Sequence, residues 1–400
     1  MTASVRQAAG SLLVVGLSGT ELTGLERAWL KLVRPAGIIL FRRNIEDARQ
    51  TRALLAEATA LGAAHGFRCV DVEGGTVDRL RDALAPMPSA QSVARASLSR
   101  SQRRELGRPA QTGKQTAGSS TPLRCAQNDI PSSLAREQGE LVARAVKAFG
   151  FNTTLAPVLD LALPASAEVM GTRAAAATAA GVVEYARGFL AGLAAQGVAG
   201  CGKHFPGLGG GGLDSHQETP AIRRNWRALW REDLAPYREL RGELPMAMVN
   251  HAAYPETPGK DRPASVSPYW ITTVLRKRIG YRGIVFSDDL EMGGILKFLP
   301  IEEAAIAAIR AGMDLLEICH SPELILRAYE ALIAEGERSA AFRNLLLARA
   351  KNGARQRAKL FAGGVPAALS ARQLEALRGR MAHFGERIQK AQPAREAQPA

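Results

Sequence analysis

The sequence contains few cysteines, few aromatic residues and no long apolar run. Its four cysteines, in 400 residues, form no CxxC pair, which excludes a disulfide framework and a zinc or redox motif of that type. No stretch reaches the roughly 18–20 apolar residues that span a bilayer, and the apolar run at residues 11–17 lacks a signal-peptide cleavage pattern. We therefore expect a cytoplasmic protein without a membrane span.

The low aromatic content, 5%, also bears on the net charge of +14, which by itself would suggest a nucleic-acid partner. Much of the positive charge falls in two stretches, residues 95–129 and the tail after residue 371. Neither stretch interleaves its cations with aromatic side chains on which bases would stack. We expect no nucleic-acid partner and interpret both stretches as solvated segments.

Eight short runs rich in Val, Ile and Leu alternate with segments of helical periodicity, which predicts strands covered on both faces by helices. This alternation favours an α/β fold, a single-domain (β/α)8 TIM barrel over residues 1–362. The predicted helices include 174–195 and 301–311. The predicted strands are 12–17, 37–41, 67–72, 152–159, 198–205, 246–251, 283–287 and 314–319.

Two regions depart from this alternation. Residues 97–132, after the third strand, are rich in Ser, Arg, Gln, Gly and Thr without periodicity, which predicts a flexible insertion. Residues 363–400 contain one predicted helix, 371–382, and end in a basic tail of Pro, Ala, Gln and Arg that we expect to be disordered.

Polar side chains follow five of the predicted strands. Barrel enzymes build their active sites where the strands end at the carboxyl face, so five such ends on one face predict a site. The side chains concerned are Asp71, Glu73, Asp160, Lys203, His204, Asn250, His251, Ser287, Asp288 and Asp289.

The segment KHFPGLGGGGLDSH, residues 203–216, has the most specific pattern in the chain. Its GxGxxG match is weak evidence for a dinucleotide, because no helix-like periodicity follows the last glycine. The glycines favour a mobile loop that delivers Asp214 and His216, whose carboxylate and imidazole suit proton transfer near neutral pH. The spacing is equally compatible with two exposed side chains without a catalytic role.

The residues Ser287, Asp288 and Asp289 close an apolar strand, which directs Asp288 into the barrel mouth as a nucleophile, a base or a metal ligand. We also expect one of the three to cap a helix that follows, through Leu290 and Met292; both roles can hold together, because two acids are available. The sequence contains no HExxH and no GxxxxGK[ST], so we expect neither a zinc site nor a P-loop nucleotide hydrolase.

These residues lie within a series of ordered motifs from about Leu12 to Gly353. The motifs are GIILFRRN (37–44), DVEGG (71–75), FNTTLAPVLD (151–160), GTR (171–173), KHFPG with DSH, MVNHAAYP (248–255) and FSDDLEM (286–292). Across them the chain resembles the glycoside hydrolase family 3 β-N-acetylhexosaminidases, in particular the single-domain bacterial enzymes of peptidoglycan recycling.

The resemblance implies a retaining exo-glycosidase that removes terminal β-linked N-acetylglucosamine from muropeptide fragments. Asp288 would be the nucleophile, and His216, oriented by Asp214, would be the acid/base. The enzyme would need no metal and no organic cofactor, and we expect it to be a monomer. The residues implied to bind the sugar are Asp71, Arg173, Lys203 and His204, with His251 nearby.

The chain departs from the family pattern at four positions. The family usually has KHFPGHGDT, and this chain has Leu208, Gly210 and Gly211 in place of the second His, the Asp and the Thr of that motif. Thr76 replaces the arginine of the family motif EGGRV. We expect activity, with a rate or preference altered by this loop. Two alternatives remain open: a β-glucosidase or β-xylosidase of the same superfamily, which normally carries a second domain supplying a glutamate, and a catalytically weakened sugar-binding protein.

Overall fold

A computed structural model of the chain describes residues 4–98, 130–211, 220–260, 262–365 and 367–392. Eight parallel strands close into a barrel in the order β1-β2-β3-β6-β7-β8-β9-β10, and a short antiparallel hairpin, β4-β5, stands outside it. The predicted (β/α)8 fold is confirmed. The strands are Leu13–Gly16 (β1), Gly37–Leu40 (β2), Phe67–Val70 (β3), Val72–Gly74 (β4), Val77–Asp78 (β5), Thr153–Thr154 (β6), Ala199–Phe205 (β7), Met246–Val249 (β8), Ile284–Asp289 (β9) and Leu315–Ile318 (β10).

Helices surround the barrel, and several begin at the residue types that accept hydrogen bonds from free backbone amides. Thr23 and Glu26 form a reciprocal capping box, while Asp47, Thr178 and Ser321 each cap a helix with a side-chain oxygen. The α-helices are Val5–Gly10 (α1), Gly24–Val33 (α2), Ala48–Ala60 (α3), Ala90–Ser97 (α4), Ile130–Ala148 (α5), Ala167–Met170 (α6), Ala179–Ala195 (α7), Trp226–Arg231 (α8), Ala235–Glu239 (α9), Gly293–Leu296 (α10), Ile301–Ala311 (α11), Pro322–Arg338 (α12), Ala340–Leu360 (α13) and Ala371–Ala391 (α14). A π-helical segment spans Tyr269–Arg278.

The strands alternate side chains between two cores, as strands buried on both faces must. Leu315 and Cys319 point into the barrel, whereas Leu316 and Ile318 pack against the surrounding helices. Cys69, Cys201 and Cys319 are free thiols buried inside the barrel. The inner core also includes Val14, Ile39, Phe67, Leu155, Met248 and Phe286.

Three local features differ from the sequence predictions. The regular fourth strand is limited to Thr153–Thr154, although Ala156 and Pro157 still accept backbone hydrogen bonds from Cys201 and Lys203. Pro157 has no N–H to donate in return, and an isolated bridge follows between Val158 and Lys203. The β4-β5 hairpin was not predicted. The helix predicted from residue 174 begins at residue 179, after the cap at Thr178.

The C-terminal helix α14 begins at Ala371 as predicted but continues to Ala391. It buries Leu377, Met381, Phe384 and Ile388 and packs against α4 and α5. The core of the predicted insertion, residues 99–129, and the end of the tail, residues 393–400, lie outside the described residues, so their predicted flexibility stays a prediction. Among the described helices, none is long and apolar enough to cross a membrane.

Candidate functional site

The carboxyl ends of β3, β7, β8 and β9 bring five of the predicted site residues to the same face of the barrel. Asp71 directly follows β3, and Lys203 and His204 lie near the carboxyl end of β7. His251 follows β8, and Asp288 lies near the end of β9. All are buried or partly buried. Parallel strands that close into a barrel place these ends around one opening.

Lys203 joins two carboxylates in a buried ionic network. Its Nζ lies 2.7 Å from Asp71 Oδ1 and 2.7 Å from Glu73 Oε1. Arg173 donates two hydrogen bonds to Glu73, of 2.8 and 2.9 Å. Burial alone would raise the pKa of Glu73, but Lys203 and Arg173 hold it far below its ordinary value. The Glu73 carboxylate therefore stays ionised between the two cations, Lys203 and Arg173.

The carboxylate of Asp160 contacts both the imidazole ring and the backbone N–H of His204. Its Oδ2 lies 2.6 Å from His204 Nδ1, and the same oxygen accepts the backbone N–H of His204 at 3.1 Å. Its Oδ1 accepts the backbone N–H of Leu208 at 2.6 Å. One carboxylate thus orients the imidazole and also fixes the first turn of the glycine-rich segment.

The three departures from the family motif at Leu208, Gly210 and Gly211 fit their local surroundings, whereas nothing in the structure explains Thr76. Leu208 contributes its backbone amide to Asp160, and its side chain is buried in the main hydrophobic core. A Cβ at Gly210 would lie 2.5 Å from Arg224 Cδ, and a Cβ at Gly211 would lie 2.4 Å from Ile222 Cδ1. The two glycines therefore provide room for larger side chains from the segment that follows.

Asp288 is surrounded by groups that favour its ionised form. Burial raises its pKa, but His204, His251 and Lys203 lower it, and the balance lies below the ordinary value. Asp288 Oδ1 accepts the backbone N–H of Asp289 at 3.0 Å. The prediction that one of residues 287–289 also caps a helix is wrong: the strand runs to Asp289, and α10 begins only at Gly293 after Met292.

His251 links the ends of β8 and β9. Its Nδ1 lies 2.7 Å from Ser265 Oγ, and its Nε2 lies 3.0 Å from the backbone oxygen of Asp289. Nε2 donates to that carbonyl, since a carbonyl oxygen only accepts, and Nδ1 forms its hydrogen bond with the Ser265 hydroxyl. Both ring nitrogens are thus engaged within the protein, and His251 acts on the site by holding the segment that carries Asp288.

The side chains of Asp289, Glu291 and His320 bring their oxygen and nitrogen atoms within 4.8 Å of one another, close enough for one cation. Glu291, however, already accepts three backbone N–H groups, from Cys319, His320 and Ser321. These bonds give the Glu291 carboxylate a structural role in the loop after β10.

Asp289 predicts a measurable pH dependence of stability. Burial and the nearby Glu291 charge raise its pKa to about 7, from an ordinary value of 3.8. Between these values the folded protein keeps a proton that the unfolded chain releases, so the free energy of unfolding falls as pH rises. In Asp289→Asn we expect this fall between pH 4 and 7 to be smaller by about 2–4 kcal/mol, since each pKa unit corresponds to about 1.4 kcal/mol.

Urea denaturation of both proteins at pH 4, 5, 6 and 7 measures this difference. Asn is close in shape to Asp but does not titrate, so the wild-type protein supplies the contribution of every other group. Parallel curves for the two proteins across this range would contradict the assignment.

Glu317 is a buried carboxyl that the sequence reasoning missed. It points into the barrel between Leu315 and Cys319, and Cys319 Sγ donates to its Oε1 at 3.1 Å. Burial, followed by the charges of Asp289, Asp71 and Asp288, raises its pKa well above the ordinary value. The signal was a single charge within the apolar run 315–318. Glu73 and Asp160 belong to the predicted strand-end polar residues, and the sequence alone indicates no separate role for either.

Asp214 and His216 lie outside the described residues, so their predicted roles stay predictions. The described structure brings together Asp71, Arg173, Lys203, His204 and Asp288 through direct contacts or charge effects. Their assigned roles toward a substrate also stay predictions.

Comparison with known proteins identifies the class of this barrel. Residues 4–349 match the glycosyl hydrolase family 3 N-terminal domain, and the chain belongs to that family. A beta-hexosaminidase of Alkalilimnicola ehrlichii is 38% identical over 314 residues, which cover 78% of this chain and 82% of the relative. One from Thiobacillus denitrificans is 36% identical over 313 residues, covering 78% and 79%. The chain is therefore a glycoside hydrolase of the β-N-acetylhexosaminidase type.

Solved structures agree with this assignment. A family 3 β-N-acetylglucosaminidase from Paenibacillus sp. superposes with a TM-score of 0.78 at 27% identity, covering 96% of this chain and 69% of that one. Native NagZ from Neisseria gonorrhoeae superposes with a TM-score of 0.71 at 26% identity, covering 96% and 98%. The predicted family and enzyme class are confirmed.

Proposed function

We propose that the protein is a retaining exo-β-N-acetylglucosaminidase that acts on muropeptide fragments in the cytoplasm. The observation that carries the proposal is Asp288: a carboxylate at the carboxyl end of β9, kept ionised by His204, His251 and Lys203. An ionised, buried carboxylate at the opening of a barrel is suited to nucleophilic attack. The muropeptide substrate and the location rest on the resemblance of the sequence motifs.

In the first step, an oxygen of Asp288 attacks the anomeric carbon of the terminal sugar while the bond to the leaving oxygen breaks. His216 donates its proton to that leaving oxygen. In the second step, water attacks the anomeric carbon of the glycosyl-enzyme, His216 accepts the proton of the water, and Asp288 leaves as a carboxylate. Asp214 orients the imidazole in both steps. Net retention follows from two displacements.

In this proposal, the ionic network around Lys203 provides the groups that bind the sugar. Lys203, held between Asp71 and Glu73, and Arg173, held by Glu73, present N–H donors in fixed positions. Asp71 retains acceptor capacity for a sugar hydroxyl, and His204 is oriented by Asp160. Preorganised polar groups of this kind lose little freedom when a sugar binds.

Hydrolysis of the nitrophenyl β-glycosides of N-acetylglucosamine and of glucose, measured in parallel, tests the proposal. We expect turnover of the N-acetylglucosamine compound at least about 100-fold faster in kcat/KM, and release of N-acetylglucosamine from a GlcNAc-anhydroMurNAc disaccharide. Faster turnover of the glucoside would favour the β-glucosidase alternative. Binding of N-acetylglucosamine without turnover of either compound would indicate a sugar-binding protein.

Retention can be read from the product itself. Proton NMR of the reaction mixture, recorded before the sugar anomers equilibrate, should show β-N-acetylglucosamine as the first product. The α-anomer as the first product would exclude the double displacement at Asp288.

A further inference from the structure

A cavity of about 520 Å³ lies between α5, the C-terminal helix α14 and the end of α7. We name it the α5–α14 cavity. Its apolar wall includes Leu369, Ala376 and Leu377, and its cations are Arg144, Lys147 and Arg380. This volume is within the range that accommodates a small organic ligand.

The α5–α14 cavity is on the opposite side of the barrel from the sugar site. α5 ends at Ala148 and α7 ends at Ala195, just before β6 and β7 begin, so both helix ends lie near the amino ends of the strands. Asp288 and Lys203 lie at the carboxyl ends. A ligand in the cavity would therefore not compete with the sugar.

The charge of the cavity has one sign. Among its described lining residues there are three cations and no carboxylate. Three of the four acids on the two helices pair with other arginines, Glu137 with Arg387, Glu140 with Arg136 and Glu375 with Arg378, and the fourth, Glu386, is exposed and does not line the cavity. These pairs leave the cavity with an uncompensated positive charge, which attracts anions.

Arg144 and Lys147 supply hydrogen-bond donors at the cavity wall. Arg144 Nε is buried and has no hydrogen-bond partner within the described residues. Lys147 Nζ uses one donor, on the backbone oxygen of Gln196 at 2.9 Å, and keeps two others. The two remaining donors of Lys147 and the guanidinium of Arg144, which lines the cavity, are the groups that an incoming acceptor would contact.

We propose that the α5–α14 cavity binds a small amphipathic anion, a carboxylate, sulfonate or phosphate on an apolar frame, separately from the sugar site. The anionic group would contact Arg144, Lys147 and Arg380. The apolar frame would lie along Leu369, Ala376 and Leu377. Guanidinium groups suit this role because their planar donors match the oxygens of such anions.

Calorimetry on the full chain with naphthalene-2-sulfonate as the probe tests the proposal, with 2-naphthol as its neutral counterpart. We expect one sulfonate to bind per chain, at least about tenfold more tightly than 2-naphthol. In Arg144→Gln/Arg380→Gln the sulfonate affinity should fall at least about tenfold, which corresponds to about 1.4 kcal/mol. Hydrolysis by this variant should equal that of the wild-type protein.

Two further variants separate a specific site from the general charge of the helix. Arg372→Gln/Lys390→Gln removes two exposed cations of α14 outside the cavity and should bind the sulfonate as the wild-type protein does. Arg144→Lys/Arg380→Lys keeps the charge and should retain affinity within about threefold. Saturating N-acetylglucosamine should leave the sulfonate affinity unchanged.

The proposal would be overturned if the wild-type protein did not bind the sulfonate below about 1 mM, or if it bound 2-naphthol equally tightly. It would also be overturned if Arg144→Gln/Arg380→Gln bound the sulfonate as tightly as the wild-type protein, or if N-acetylglucosamine competed with the sulfonate. An equal loss in the Arg372→Gln/Lys390→Gln control would also overturn it, because the binding would then reflect the overall charge of the protein.

Discussion

Replacing Asp288 by asparagine is expected to lower kcat for the nitrophenyl glycoside of N-acetylglucosamine by about 1,000-fold or more. The amide has nearly the same shape but is a poor nucleophile, so the first covalent step is lost while the sugar still binds. KM should change much less than kcat. The measurement is steady-state kinetics at neutral pH, where Asp288 is ionised in the wild-type protein.

The neighbouring Asp289 provides a matched control. It is also an aspartate near the end of β9, but its raised pKa of about 7 leaves it partly protonated at neutral pH. We expect Asp289→Asn to keep kcat within about tenfold of the wild-type value. An activated fluoro-sugar that forms a stable glycosyl-enzyme should label Asp288, and mass-spectrometric mapping of the label to Asp289 would contradict the assignment.

Replacing Lys203 by methionine is expected to lower the free energy of unfolding at pH 7 by about 3–5 kcal/mol. Methionine has a similar length but leaves Asp71 and Glu73 without their shared cation, and an uncompensated buried charge is costly. Arg173 would still compensate part of the Glu73 charge. Urea denaturation measures the effect.

The pH dependence of this deficit has a defined sign. The pKa of Glu73 in the folded protein is depressed, so its contribution to stability is present above the ordinary value of 4.5 and is lost as pH falls. The deficit of Lys203→Met should therefore be smaller at pH 3 than at pH 7. Lys351→Met, at an exposed position of α13, should change stability by less than about 0.5 kcal/mol. A Lys203→Met deficit as small as that of the control would show that the network contributes nothing.

The barrel was predictable from the sequence because strands buried on both faces are read as continuous apolar runs. β1 and β10 each gave such a run and fell within the predicted boundaries. The run at residues 152–159 gave the right strand but the wrong length, since its apolar character continues through Pro157, which cannot donate to the ladder. Hydrophobicity therefore located the strands but did not report their hydrogen bonding.

The strand ends that carry the site residues were predictable from the sequence, but the contacts between their side chains were not. Asp71, Lys203 and Asp288 were found because charges at the ends of apolar runs are conspicuous. The pairing of Asp160 with His204 joins residues 44 positions apart, and no local pattern specifies it. Glu317 was missed because an isolated charge within an apolar strand has no periodic signal.

The barrel closes where β1 pairs with β10, so this pairing joins the first and the last strand of the barrel along the chain. Leu13 pairs with Leu316 and Val15 with Ile318. During synthesis this ladder cannot form until β10 has left the ribosome, and until then β1 and β9 each present an unpaired edge. A nascent chain that stops before residue 315 would retain both edges. Such long-range pairing makes folding slow and leaves the unfinished barrel prone to aggregation.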